Sequence, residues 1–371
     1  MRIAISCRSI LKQNSTGIGR YTYQLINSLG HIDTTNEYYL YAAKRLFDRK
    51  RKLPIFSAKN FLPKRDYFNR GFFPTVGPID VCHIPSPEYI NLKKSPVVVT
   101  IHDLIYKTYP QSHPQDAINI LESQMKSIVT HADHLICISH ATRRDLHKFY
   151  DIPQEKTSVI YNGVNHQMFN PVTSAEEGQV KDVLNMHGID RPYFLYVGTI
   201  EPRKNLQGIL QALEQLKQKN NFNGYLVVVG MKGWMIDHIE PMIKKLQLEQ
   251  MVKFLGFVTD SQLRMLYNQC QAFVFPSLYE GFGFPIVEAF ACKAPVITSN
   301  TSSCVEIAGE AALTIDPNNV DDLRTAMNVM LNDNNKRQHF IDQGFKRAQT
   351  FSFDQTAKET LNVYSTVKRS G

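Results

Sequence analysis

Two glutamates, Glu280 and Glu288, flank the segment Gly281-Phe282-Gly283-Phe284-Pro285, and the apolar run Ala272–Phe275 precedes them. The run reads as a strand. Pro285 suits the first position of a following helix, where a missing N–H costs nothing. Glu280 then lies on the turn, and Glu288 lies one turn into the helix, roughly 5 Å further along its axis. Gly281 and Gly283 permit close approach of backbone, so free N–H groups can meet an anion. An ionised carboxylate only accepts hydrogen bonds, which suits sugar hydroxyls. The spacing fits a ligand with phosphate in the middle and a polyol at each end, the build of a nucleotide sugar. The plainer alternative is a glycine-rich strand-to-helix turn of the kind found in many α/β proteins.

Other residues add chemistry. Gly198-Thr199-Ile200-Glu201-Pro202-Arg203-Lys204-Asn205 follows the apolar run Tyr193–Val197. Arg203 and Lys204 fall just before a helical pattern, beside its positive end, which makes an anion clamp. A βα loop with ordinary surface charges is the alternative; the shared half of the chain favours phosphate binding. His102-Asp103 ends the run Val97–Ile101, where a neutral imidazole can meet a substrate hydroxyl or bond locally to Asp103. Thr16-Gly17-Ile18-Gly19-Arg20 opens a helix, but Thr22 stands where a dinucleotide fingerprint has its third glycine, which argues against a nicotinamide site. Gly17 and Gly19 still let backbone approach a ligand. No Asp-x-Asp pair occurs, and His131 and His134 lack partners for a tetrahedral site, so no catalytic metal and no cofactor are expected. No Gly-x-Ser-x-Gly elbow is present and Ser139-His140 lacks triad framing, so a nucleophilic hydrolase is not indicated.

The elements that must position these residues alternate strand and helix. Strands are expected at Arg2–Ser6, Glu37–Tyr41, Val81–Ile84, Val97–Ile101, His134–Ile138 and Ser158–Tyr161, with helices at Gly19–Leu29, Gln115–Thr130 and Ala141–Phe149, the last capped near Ser139. The alternation restarts at Tyr193–Val197, Tyr225–Val229, Val252–Leu255, Ala272–Phe275, Pro295–Thr298 and Ala312–Thr314. Helices near Leu206–Lys217, Met235–Leu246, Ser261–Asn268, Pro285–Cys292 and Val320–Leu331 separate them. Two such series imply two doubly wound parallel sheets, with ligands at the carboxyl ends of the strands. The polar stretch from Asn165 to Arg191 is the expected boundary, dividing residues 1–170 from 190–350, and a tail, Phe353–Val367, closes the chain as a helix crossing back to the first domain.

At 371 residues the chain is long for a single core. No apolar run approaches the roughly 20 residues that cross a bilayer, and Met1–Ser6 is too brief for a signal peptide. The six cysteines are scattered through apolar runs and read as buried thiols of a reducing cytosol. The net charge of +8 belongs to one stretch: from Lys44 to Arg70 ten basic residues stand against Asp48 and Asp66, interleaved with aromatics. Such a surface suits anionic lipid or another polyanion; a solvated loop with ordinary charge fluctuation is the equal alternative.

The stretch Pro276-Ser277-Leu278-Tyr279-Glu280-Gly281-Phe282-Gly283-Phe284-Pro285-Ile286-Val287-Glu288-Ala289, together with Val197–Asn205, Asn162-Gly163-Val164 and Cys137-Ile138-Ser139, resembles the retaining glycosyltransferases of the GT-B fold, family four, also called glycosyl transferases group 1. The resemblance runs from Gly17 to the Phe351-Ser352-Phe353 tail. It implies two Rossmann-like domains facing a cleft. Glu280 would contact the donor hexose and Glu288 the ribose, while Arg203 and Lys204 would hold the diphosphate beside Gly198, Gly281, Phe282, Gly283 and Phe284. His102 would meet the sugar, Gly17 and Gly19 the donor phosphates or acceptor, Ser139 the acceptor cleft, and Phe257 and Val258 the base. Many members carry Arg straight after the loop glycine, where this chain has Thr199, so Arg203 would supply that charge from the next turn. The wording from Gly198 to Asn205 is similar to mannosyltransferases of bacterial surface polysaccharides, which suggests GDP-mannose as donor and a glycan or lipid-linked acceptor. A cytoplasmic protein is expected, docked peripherally on the inner face of the plasma membrane through Lys44 to Arg70. A sugar-nucleotide epimerase of this fold and a UDP-sugar transferase are the rivals. A nucleic-acid-binding protein would explain the basic stretch but not the phosphate loops, and no nucleic acid is expected.

Overall fold

Short β-branched strands buried on both faces require helices on each side of a parallel sheet. The computed structural model, which describes all residues except 12–16, 44–51, 68–71, 89–94, 221, 232, 234–236 and 371, contains two such sheets. One unit comprises Met1–Gly163 with Ser352–Gly371, and the other Val164–Phe351. In the first, β1 (Arg2–Ser6), β2 (Glu37–Ala43), β3 (Phe61–Asp66), β4 (Val81–Ile84), β5 (Val97–Ile101), β6 (His134–Cys137) and β7 (Thr157–Val159) lie in the order β3-β2-β1-β4-β5-β6-β7. In the second, β8 (Tyr193–Val197), β9 (Tyr225–Val229), β10 (Val252–Gly256), β11 (Ala272–Phe275), β12 (Val296–Ser299) and β13 (Leu313–Ile315) lie in the order β10-β9-β8-β11-β12-β13. Every pairing is parallel, as in Leu195 beside Val227 and Phe273 beside Val296. The expected pair of doubly wound α/β sheets is therefore present.

Several expectations need correction. β3 lies inside the basic stretch and was not expected, because Pro63, Lys64 and Arg65 disguise it. Among the described residues it pairs only with β2, Leu40 against Pro63, and an edge strand tolerates both a proline and charges. Residues 44–51 and 68–70 of the basic stretch lie outside the described residues. The polar boundary at 165–191 instead carries a helix, Glu177–Met186, and goes with the second unit. Arg264 ties it there, donating to the Asn170 and Pro171 carbonyls and to both oxygens of Glu176. Helices Ser302–Ala308 and Asn334–Ala348 were also unforeseen; of the helix expected at Met235–Leu246, residues 235 and 236 lie outside the described residues and Ile239–Lys245 is helical. No helix among the described residues is long and apolar enough to cross a membrane.

The tail helix Phe353–Ser370 packs along Gly17–Ile32 in the first unit. Its Ser352 cap accepts from the Gln355 N–H at 3.1 Å, and Thr356 Oγ1 donates to the Tyr161 carbonyl at 2.7 Å. Gly163 has no room for a side chain, since a Cβ there would sit 2.1 Å from the Phe353 nitrogen. Deeper in, the Tyr364 hydroxyl shares a 2.6 Å hydrogen bond with His83 Nδ1, and His83 Nε2 shares one of 2.9 Å with Thr100 Oγ1. Burial, aided by the neighbouring His102, drops the His83 pKa to about 3, so its imidazole is neutral. Tyr364→Phe should leave a buried ring nitrogen without its partner and cost about 1–3 kcal/mol in urea unfolding. A change below about 0.3 kcal/mol would show that this bond does not anchor the helix.

Candidate functional site

The carboxyl end of β8 turns sharply at Gly198, whose φ of +145° strains any side chain. A Cβ there would also lie 2.6 Å from Lys204 Nζ, so the glycine makes room for the ammonium. The turn Pro202–Lys204 follows, ended by Asn205 in the left-handed region at φ 55°. The Asn205 side chain holds that shape, accepting from the Gly208 N–H at 3.1 Å and donating to the Pro317 carbonyl at 2.7 Å. Arg203 and Lys204 therefore leave the turn in fixed positions. Lys204 Nζ lies 5.5 Å from the centre of the Phe275 ring. No carboxylate among the described residues is at ion-pairing distance from it.

Arg203 is placed differently from the expectation of an anion clamp open to a ligand. It is only 7% exposed, and its guanidinium is already engaged. Nη1 lies 2.8 Å from Glu280 Oε1 and donates to the Tyr279 carbonyl, while Nη2 donates to Glu201 Oε1. Its own carbonyl accepts from the Leu278 N–H at 2.8 Å, which stitches the β8 loop to the β11 loop. Three serines brace Glu280. Ser277 Oγ lies 2.9 Å from its Oε1, Ser302 Oγ accepts from its N–H at 3.0 Å, and Ser303 Oγ donates to its carbonyl at 2.8 Å. Burial works to raise the Glu280 pKa, yet the charges of Arg203 and Lys204, with hydrogen bonds from Ser277 and Arg203, hold it below the usual carboxylate range. Glu280 is therefore ionised at neutral pH.

Beyond Glu280, Gly283 caps the helix Phe284–Ala291 at φ +99°, and Pro285 takes the second helical position where the first was expected. Glu288 lies on that helix, 5% exposed, with the Tyr267 hydroxyl 3.5 Å from its Oε2. Phe282 is buried, its ring 5.3 Å from Phe284 and 5.9 Å from Phe351, while Gly281 is buried on the same turn. Phe257 and Val258 follow β10, two strands away at the same end of the sheet. The Phe257 residue is 79% exposed and Val258 is buried. Glu280, Arg203, Lys204 and Gly198 are thus brought together; Phe257 and Val258 share the same end of the sheet. Sequence reasoning missed Glu201, Ser277, Ser302 and Ser303, because their convergence on Glu280 is set by tertiary packing.

In the first unit, His102 follows β5 and is buried. Its Nε2 donates to the Pro85 carbonyl at 2.7 Å, and its ring meets Tyr21 edge-on at 5.0 Å. A carbonyl only accepts, so the proton sits on Nε2 and Nδ1 keeps its lone pair. Burial lowers the His102 pKa despite the opposing pull of Pro85 and Asp103. The alternative of a local His102–Asp103 bond is not what forms; Asp103 instead accepts from the Ile105 N–H at 3.1 Å. Tyr21 belongs to the helix Gly17–Ile32 that Gly17 opens and in which Gly19 is buried. Ser139, expected beside an acceptor, is fully buried and caps the helix His140–Phe149 by accepting from the Thr142 N–H at 3.0 Å. An unforeseen carboxylate, Glu88, accepts from Ser6 Oγ at 3.0 Å and Ser86 Oγ at 3.1 Å, at the ends of β1 and β4.

Comparison with known proteins bears on this arrangement. Residues 16–168 match the family described as Glycosyltransferase Family 4, and residues 185–347 match Glycosyl transferases group 1. The O-antigen chain mannosyltransferase B of Escherichia coli is 28% identical over 95% of this chain and 97% of its own length. The O-antigen chain mannosyltransferase RfbU of Salmonella typhimurium is 30% identical over 62% of this chain and 59% of its own. Among solved structures, sucrose-phosphate synthase from Thermosynechococcus elongatus superposes with a TM-score of 0.79 at 20% identity, covering 100% of both chains. Anabaena HepE, solved with UDP-glucose, superposes with a TM-score of 0.72 at 18% identity, over 99% of this chain and 100% of its own. These structural likenesses speak for the GT-B fold.

Gly198→Ala should cost about 1 kcal/mol or more in urea unfolding, because strained backbone and a displaced ammonium add together. A loss below about 0.3 kcal/mol would show that the loop relaxes freely around the added carbon.

Proposed function

The chain belongs to the glycosyltransferases of family 4 and group 1, and we propose that it moves mannose from GDP-mannose to a glycan or lipid-linked acceptor of a surface polysaccharide, with retention of configuration. The observation that carries this reading is the juxtaposition at the ends of β8 and β11 of an ionised Glu280 and the ammonium of Lys204. A carboxylate for hydroxyls beside a cation for phosphate matches an activated sugar. Support for mannose is the similarity to the Escherichia coli O-antigen chain mannosyltransferase along nearly its full length.

In this reading Glu280 accepts from hydroxyls of the donor hexose and Glu288 from the ribose. Lys204 and the positive end of the helix Phe284–Ala291 offset the charge that builds on the departing diphosphate, without a metal ion. Gly198, Gly281, Phe282, Gly283 and Phe284 supply backbone to the diphosphate, and Phe257 and Val258 border the base. His102 offers a neutral Nδ1 to a sugar hydroxyl, and Gly17 and Gly19 present backbone to the phosphates or acceptor. The acceptor hydroxyl attacks on the face the diphosphate leaves, so rate comes from positioning and electrostatics.

A peripheral seat on the cytoplasmic face of an anionic membrane belongs to the same proposal. In the described part of the basic stretch, Lys52, Lys59 and Arg65 are exposed beside Ile55, which is 97% exposed. An exposed aliphatic residue amid cations suits a headgroup layer.

A thermal-shift screen of GDP-, UDP- and ADP-sugars tests the donor, since a bound donor raises stability by mass action. GDP-mannose should give the largest shift, and no shift with any of them would remove the reading. Lys204→Ala and Glu288→Ala should each lower kcat/KM by about tenfold or more, on the order of 1.4 kcal/mol, in assays containing excess EDTA. Wild-type rates in both variants, or a rate abolished by EDTA alone, would reject the site or its metal independence. An epimerase would convert donor with no acceptor added. Binding to liposomes containing anionic lipid should weaken as salt rises; binding indifferent to salt would count against the membrane seat.

A further inference from the structure

Arg203 and Lys204 are neighbours in sequence, but the turn that carries them sends their charges to different places. In a tight 3-10 turn successive side chains point about a third of a revolution apart. The Arg203 fork is buried and spans Glu201, Glu280 and the Tyr279 carbonyl. Lys204 reaches over Gly198 toward the Phe275 ring. A guanidinium already bonded to two carboxylates has little left to offer a phosphate. To take one, it would have to give up a buried charge partner, and an unpaired buried charge is costly.

We propose that Arg203 is a positioning residue, fixing the Glu280 carboxylate and the Tyr279–Glu280 peptide, while Lys204 is the one side-chain cation of this loop that meets the diphosphate. The proposal rests on the nucleotide-sugar reading given above and assigns a division of labour within that site. Three further observations favour it. Arg203 contacts Glu280 through its side chain, and its carbonyl holds Leu278 two residues before the glutamate. Thr199, directly after Gly198, carries no charge, so Lys204 has no second cation there to share the load. The Arg203 charge is also among the influences that keep Glu280 ionised against the effect of burial. Without that charge burial gains ground, and the carboxyl should protonate at higher pH.

The test compares Arg203→Gln, Arg203→Lys and Lys204→Gln in the full chain. GDP affinity is measured by calorimetry, and kcat and KM for GDP-mannose are followed across about pH 5 to 9. Arg203→Gln should lose about tenfold or more in kcat while its GDP Kd stays within about threefold of wild type. Its acid limb should move to higher pH. Arg203→Lys should keep the charge without the fork, recovering the acid limb more fully than kcat. Lys204→Gln should instead raise the GDP Kd by about tenfold or more. A GDP Kd raised as much by Arg203→Gln as by Lys204→Gln, or an unmoved acid limb, would overturn the assignment.

A wild-type chain that binds no GDP would defeat the donor reading, and a second measurement then decides the positioning role separately. In a double-mutant cycle of Arg203→Lys with Glu280→Gln, unfolding constants should be coupled by about fivefold or more. Additive effects would show that the two side chains do not hold each other, whatever the ligand.

Discussion

A guanidinium buried between two carboxylates, at the place where two parallel strands end, constrains the loops of the second unit more than any other contact. Removing charges from water is expensive, and only good geometry with further hydrogen bonds makes such a group tolerable. That requirement explains the surroundings. Ser277 lies within hydrogen-bond reach of Glu280 and of the Tyr279 carbonyl, and Ser299 in turn donates to the Ser277 carbonyl at 2.6 Å. Deleting one partner of a buried pair typically costs about 3–5 kcal/mol. The β8 and β11 loops therefore move together or not at all, and a carboxylate held this firmly spends little entropy on meeting a ligand.

The first unit solves a different problem with the same economy. Its last helix arrives from the far end of the chain and must be held by groups that cannot slide. A buried neutral histidine does this: His83 links Tyr364 on that helix to Thr100 on β5, and the Tyr21 hydroxyl shares a 3.0 Å bond with the same threonine. Tyr21 also packs its ring against His102. The His102 imidazole is thus supported by the network that docks the tail, and both histidines are kept uncharged by burial.

How much of this the sequence disclosed depends on what kind of physics produced it. β5, β8, β9 and β11 were legible because a strand buried on both faces must be apolar throughout, and Val97–Ile101 or Tyr225–Val229 has no other good reading. β3 was hidden because an edge strand faces different demands: only its end residues Phe61 and Asp66 are buried, so neither periodicity nor hydrophobicity marked it. The helix Asn334–Ala348 was hidden for a related reason, since its buried residues are the small Gly344 and Ala348. In the site, residue type and spacing marked Glu280, Arg203 and Lys204. They did not reveal that Arg203 spends its charge on Glu201, two residues earlier, and on Glu280 in a loop after another strand.

The charges of this loop pair follow from that partition. Glu201 and Glu280 carry two negative charges, and Arg203 and Lys204 carry two positive ones, so the cluster is neutral before any ligand arrives. A neutral cluster with one engaged cation and one reachable cation does not attract anions strongly from a distance. In the proposed function it would discriminate at short range, where an ammonium over a glycine and the positive end of the helix after Gly283 meet a phosphate that a rigid carboxylate has aligned through the attached sugar. Gly198 is what allows this, because without a Cβ it leaves the Lys204 amine the space a side chain would fill. In that reading selectivity would come from how the sugar end and the phosphate end are spaced, with net attraction contributing little. That spacing is fixed by the Arg203 carbonyl's bond to Leu278 and the guanidinium's hold on Glu280.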